Sequence, residues 1–310
     1  MSAVPPRAGS GAGSTARQTR SGAASRAPGA GSQARETRRA AKLANAAMKS
    51  APAIPAQQVE GPEALLAASP QLAPPALAAL GKRRLRAMLA EGLDILECFR
   101  VLKKGGLNIV GEVLRGQGTF YEYTHYPQDD VYDRDTRSQY YYHAHRGMAG
   151  ENGHFHTFIR LPREPRPASA AHDAADDPDA ADEDEAVHLV AISMDAYGWP
   201  IGLFATNRWV TGGGWLAAEE TIGLLPEFCV DHADPSWPVN RCLSAMFGLF
   251  RPHMEMLLRH RDGVIAARAA ALPGSDVLED RELEITGYLP VSVEETVAEL
   301  RALLGKDGRG

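Results

Sequence analysis

The chain has 310 residues, 44% hydrophobic and 23% charged, with a formal net charge of −6. No run approaches the roughly 18 consecutive apolar residues of a membrane-spanning helix, which excludes that class. Three widely spaced cysteines, Cys98, Cys229 and Cys242, are too few for a disulfide scaffold and read as thiols of a reducing cytoplasm, the expected location.

The net charge conceals a split. The first 50 residues hold nine bases and the single acid Glu36, a charge of +8. The other 260 carry 24 bases against 38 acids, or −14. Residues 1–60 are Ala, Gly, Ser, Pro and Arg with almost no apolar anchors, so they are expected to form a disordered basic tail. Such a tail is a solvated extension, an import signal or a weak, salt-sensitive contact for nucleic acid. It has no aromatic residues to stack on bases. Residues 61–310 are expected to form one α+β domain, interrupted by a disordered acidic insert at about 162–186. Eight of the thirteen residues Asp173–Glu185 are acidic.

Within the domain, Leu77, Leu80, Leu85, Met88, Leu89, Ile95 and Leu102 recur at helical steps and predict a helix over Pro75–Lys104. Lys103, Lys104 and Gly105-Gly106 form its C-terminal stop. Leu107–Leu114 is ambiguous between helix and strand. β-Formers then predict five strands: Thr119–Tyr126, Gln139–His145, His154–Leu161, His188–Asp195 and Ile201–Val210. Ser236 is a candidate N-cap for a long helix that Pro252 should kink or break. A short strand at Glu282–Tyr288 precedes a helix opened by the capping box Ser292-Val293-Glu294-Glu295. The predicted class is α+β: an antiparallel meander of about five strands packed with N- and C-terminal helices.

Four of the ten histidines fall in fourteen residues, as His143-Ala-His145 and His154-Phe-His156. A strand repeats every two residues, so both histidines of each pair share a face. A hairpin pairing His145 with His154 also opposes His143 to His156, and a register shift of two still leaves all four on one face. Opposed Cβ atoms stand about 4.5–5.5 Å apart, within reach of one metal with bonds of about 2.0–2.1 Å. His143, His145, His154 and His156 are therefore the predicted ligands of a divalent transition metal, Fe, Mn, Zn or Ni. Glu151 in the intervening loop and Asp195 at a strand end are the candidate catalytic groups. No other cofactor signature is present.

The alternative is a hydrogen-bonded network of these histidines with Tyr140, Tyr141 and Tyr142, since buried imidazoles need partners. Weaker motifs are Asn207-Arg208 before Thr211-Gly212-Gly213-Gly214, a possible anion-binding edge, and Cys229-x-x-His232. His253 and His260 read as a solvated helical stripe.

The strings Gly116-Gln-Gly-Thr-Phe-Tyr-Glu-Tyr, Tyr-Tyr-Tyr-His143-Ala-His145-Arg, Glu151-Asn-Gly-His154-Phe-His156-Thr-Phe, His188-Leu-Val-Ala-Ile-Ser-Met-Asp195, Thr206-Asn-Arg-Trp-Val-Thr-Gly and Ser236-Trp-Pro-Val-Asn-Arg together resemble a bacterial family carried as a domain of unknown function. The resemblance covers about residues 85–300. It implies a bacterial, cytoplasmic, single-domain protein and brings no activity, cofactor or catalytic residue.

Two readings follow. One is a metal-dependent enzyme with its site on a β-hairpin. The other is a non-catalytic module whose His/Tyr face binds a small molecule or a protein. No membrane partner is expected, and nucleic acid only weakly, through the tail.

Overall fold

In the computed structural model, residues 72–145, 150–162 and 184–305 are described. The predicted basic tail and residues 163–183 of the predicted acidic insert lie outside them. The helical periodicity near the start is realised as a 3-10 turn, Leu77–Ala79, and helix α1, Lys82–Lys104. Helix α1 buries Leu85, Met88, Ile95, Phe99 and Leu102 along one stripe. It stops where Gly105 and Gly106 take over. The ambiguous segment becomes the one-turn helix α2, Ile109–Val113, because the Asn108 side chain accepts from the Gly111 amide at its start.

The sheet is the predicted meander with one strand more. Strands β1 (Tyr126–Asp133), β2 (Ser138–His143), β3 (Gly153–Leu161), β4 (Glu185–Met194), β5 (Pro200–Thr206) and β6 (Ile285–Pro290) lie in that order, each antiparallel to the next. The first strand is displaced from expectation. The β-forming run before Tyr126 stays irregular, and the paired strand is the polar Tyr126-Pro-Gln-Asp-Asp-Val-Tyr-Asp. Edge strands tolerate proline and charge because one side of their ladder is unpaired. The fifth strand ends early because the Asn207 side chain accepts from the Arg208 amide and starts helix α3, Arg208–Thr211.

Helix α4 is Ala218–Leu224. The long C-terminal run splits as expected at Pro252, into α5 (Trp237–Leu249) and α6 (Arg251–Ala271). Ser236 occupies the N-cap position of α5, but its hydroxyl donates to Glu112 Oε2 instead of capping. The last helix, α7 (Val293–Gly305), begins with the Glu295 amide donating to Ser292 Oγ over 3.2 Å.

Alternation along the strands sorts the two sheet faces. Tyr140, Tyr142, Phe155, Ile159, Leu189, Ile192, Met194 and Leu203 join α1, α5 and α6 in the main core. Helix α1 packs against α5 and α7, while α6 lies on β5 and β6. The other face carries Tyr141, His143, His154, His156 and a separate small cluster of Ala191, Phe204 and Tyr288. Among the described residues no helix is long and apolar enough to cross a membrane.

Candidate metal centre

The β2–β3 register differs by two residues from the simplest expectation. His143 faces His154, and Tyr141 faces His156. In this register Gly153 is closely packed. A Cβ there would lie 2.5 Å from Tyr142 Oη and 2.6 Å from the His143 carbonyl oxygen. Tyr142 Oη in turn donates to Asn152 Oδ1 over 2.8 Å, and the Asn152 amide donates to the Met194 carbonyl. The turn into β3 is thus pinned on both sides.

All the same, the period-2 argument brings the histidines together. Ring centroids lie 4.5 Å apart for His143 and His154, 5.0 Å for His154 and His156, and 5.1 Å for His143 and His156. Each residue is buried, and their ligand nitrogens all lie within 4.8 Å of one another. Among the described residues this is the one group of three or more such side chains so placed. His145 follows the end of β2 and is partly exposed. Its ring centroid is 4.7 Å from that of His143 and 5.2 Å from that of His154, and it stacks on Tyr123 at 5.1 Å.

The surroundings of two of the rings matter as much as the rings. Glu151 Oε1 lies 2.8 Å from His154 Nδ1, and Glu151 Oε2 accepts from Ser193 Oγ at 2.6 Å. On the far side, His156 Nδ1 lies 3.0 Å from His188 Nε2, and His188 Nδ1 lies 3.4 Å from Thr206 Oγ1. His188 reaches this position through an irregularity in β4. The β3–β4 register shifts between His156 and Phe158, so that Phe158 faces His188. Thr157 Oγ1 donates to the Val190 carbonyl there. A bulge of this kind re-aims the following side chains. The protein packed around the His188 ring disfavours its charged form and, with the Arg261 charge, pushes its pKa down to about 3.

Phe204 closes the site edge-on, with its centroid 5.2 Å from that of His154 and 5.8 Å from that of His156. Tyr141 lies beside His143 and His156, and burial raises its phenol pKa, with Asp130 adding to the rise. His125, which the sequence reading passed over, stacks on Tyr141 at 3.5 Å, and its Nδ1 is 3.0 Å from Asp130 Oδ1. Asp130 Oδ2 accepts from Gln139 Nε2, and Gln139 Oε1 accepts from Arg160 Nε. A cavity of about 420 Å³ is lined in part by Asp130, Gln139 and Arg160.

Of the two candidate catalytic groups, Glu151 belongs to the site. Asp195 does not reach it by any described bond. Its Oδ1 accepts from the Tyr197 and Trp199 amides, a turn role. The Asn207-Arg208 motif serves α3, and Arg208 pairs with Asp276 and Glu279. His253 is buried against Phe250, not part of a solvated stripe.

The chain belongs to the family described as domain of unknown function DUF6969, whose model matches residues 89–291. That span contains the whole histidine cluster and its supporting residues. No curated protein and no solved structure matches the chain.

Proposed function

We propose that the protein binds one divalent transition metal ion, Fe, Mn, Zn or Ni, through His143, His154 and His156, and acts on a small molecule at that metal. The observation that carries the reading is the occupation of Nδ1 on two rings. A ligating histidine characteristically gives its other ring N–H to a carboxylate, carbonyl or similar acceptor, which fixes the tautomer and orients the lone pair. Glu151 stands at Nδ1 of His154, and His188 at Nδ1 of His156. With both Nδ1 atoms as donors, Nε2 is the nitrogen that each of these rings would offer to a metal.

Three protein nitrogens with one position left over is the donor arrangement of catalytic zinc sites, whereas structural sites close with four ligands. Nitrogens of one tetrahedral ion stand about 3.4 Å apart, given bonds of about 2.0–2.1 Å, so metal binding would draw the rings slightly inward. Glu151 serves in this reading to hold His154, and proton transfer falls to it only if the metal-bound group reaches its second oxygen. The competing reading, a metal-free network, draws on the same bonds: Glu151–His154 and His156–His188–Thr206 hold the face together by themselves.

Metal analysis of the chain purified without an affinity tag separates the two. The expected result is one equivalent of metal, lost in His143→Ala, His154→Ala and His156→Ala and kept in His260→Ala on α6. A protein that stays metal-free after incubation with Fe(II), Mn(II), Zn(II) and Ni(II) refutes the metal centre and leaves the network.

A further inference from the structure

The fourth histidine of the sequence cluster stands apart from the other three. The ring of His145 is as near to His143 as those of the triad are to one another, yet its nitrogens fall outside the group whose atoms lie within 4.8 Å. It also touches Tyr123. The two rings stack with centroids 5.1 Å apart and planes 20° from parallel.

Tyr123 is placed for this contact at some expense. Its φ is +65°, in the left-handed region that bulky residues seldom enter. Its amide donates to the Ala144 carbonyl over 3.1 Å, which ties the irregular segment before β1 to the residue preceding His145. Such outliers persist only where the surroundings impose them, and they gather at ligand sites. The residue is 69% exposed, so burial does not explain the conformation.

From this arrangement we infer that Tyr123 is a positioning residue: by stacking on His145 it holds that imidazole out of the coordination sphere and keeps the fourth metal position available to an external ligand. The inference rests on the metal centre proposed above and specifies its ligand set. His145 is then the reserve ligand. When Tyr123 no longer retains it, it competes for the position that an external ligand would take.

The test uses Co(II) as the metal and azide as the external ligand, both read from the visible spectrum of the full chain. Wild type, His145→Ala and Tyr123→Phe, which keeps the stack, should each bind one Co(II) and change spectrum on adding azide. Tyr123→Ala should bind Co(II) with an azide dissociation constant raised by about threefold to tenfold, the equivalent of one aromatic stack. The double variant Tyr123→Ala/His145→Ala should return to the wild-type value. That return is the signature of competition by His145, which a merely structural role for Tyr123 would not produce. Equal azide affinity in wild type and Tyr123→Ala overturns the inference. So does a wild type that binds azide only after His145 is removed, because His145 would then be the resident fourth ligand. If His154→Ala and wild type alike fail to take up Co(II), the metal centre itself falls and the inference with it.

Discussion

Gly153→Ala tests whether the β2–β3 register is set by close packing at the start of β3. A glycine replaced by alanine usually stabilises a folded protein by about 0.4–1 kcal/mol where the backbone accepts it, because the unfolded chain loses freedom. Here the opposite sign is expected. The new Cβ would stand 2.5 Å from Tyr142 Oη and 2.6 Å from both Tyr142 Cζ and the His143 carbonyl oxygen. Tyr142 is fully buried and the carbonyl belongs to a strand, so neither can swing aside. Overpacking of this kind costs about 1–3 kcal/mol. Displacing Tyr142 also breaks its bond to Asn152, worth a further ~0.5–1.5 kcal/mol. The sum is about 1.5–4.5 kcal/mol. With a urea m-value near ~3 kcal/mol/M, the unfolding midpoint followed by circular dichroism should fall by about 1 M at unchanged slope. A midpoint equal to or above wild type would show that the turn yields freely and that something else sets the register.

Two further substitutions probe single features. Ser292→Ala should destabilise the chain by about 0.5–2 kcal/mol through loss of the cap on the Glu295 amide; an unchanged thermal melt would assign the start of α7 to packing of Val293 and Val297 alone. His253 is buried with Nδ1 unpartnered among the described residues, and burial pushes its pKa down to about 4. Below pH ~6.5 the unfolded chain takes up a proton that the folded chain refuses, so stability is lost as pH falls from about 6.5 toward 4, by up to roughly 3 kcal/mol. His253→Met should make that acid limb shallower, with His188 still contributing to it, and a limb of wild-type steepness in the variant would exclude His253 as a source.

Much of the fold could be read from residue patterns because those patterns have local causes. The leucine spacing of α1, the glycines that end it and the break at Pro252 each depend on a few neighbouring residues. The edge strand β1 escaped because its polar sequence resembles a loop, and pairing with β2 is a property of the partner. Conversely, Thr119–His125 has strand-forming residues but uses them at the site: Tyr123 meets His145, and His125 meets Tyr141. Strand β6 lies some eighty residues after β5, and nothing local announces that it completes the same sheet.

The histidine face was legible for a related reason. Strand period alone puts His154 and His156 on one side, and His143 joins them in the observed register and in any register shifted from it by an even number of residues. The register was not legible, since a loop from Ala144 to Asn152 is too long to dictate pairing.

His188 was invisible to the same reasoning, and its place gives a sharp test. Alternation back from Ala191 puts Leu189 on the histidine face and His188 toward the core. The bulge beside Val190 reverses that, so His188 meets His156 while Leu189 enters the core. One irregular step therefore decides whether Nδ1 of His156 faces an imidazole or a hydrocarbon. His188→Leu supplies the hydrocarbon without disturbing the bulge. If His188 matters only for packing, the variant should bind metal as the wild type does. If it fixes the tautomer of His156, metal affinity should fall by about 10–100-fold, the usual consequence of losing a ligand's outer hydrogen bond. His154 keeps Glu151 in this variant, so one ring is left with a free choice of tautomer and the other is not. Competition against a chelator of known affinity reads the difference directly. Undiminished affinity in a folded His188→Leu protein would refute a role for the β4 irregularity in the metal site.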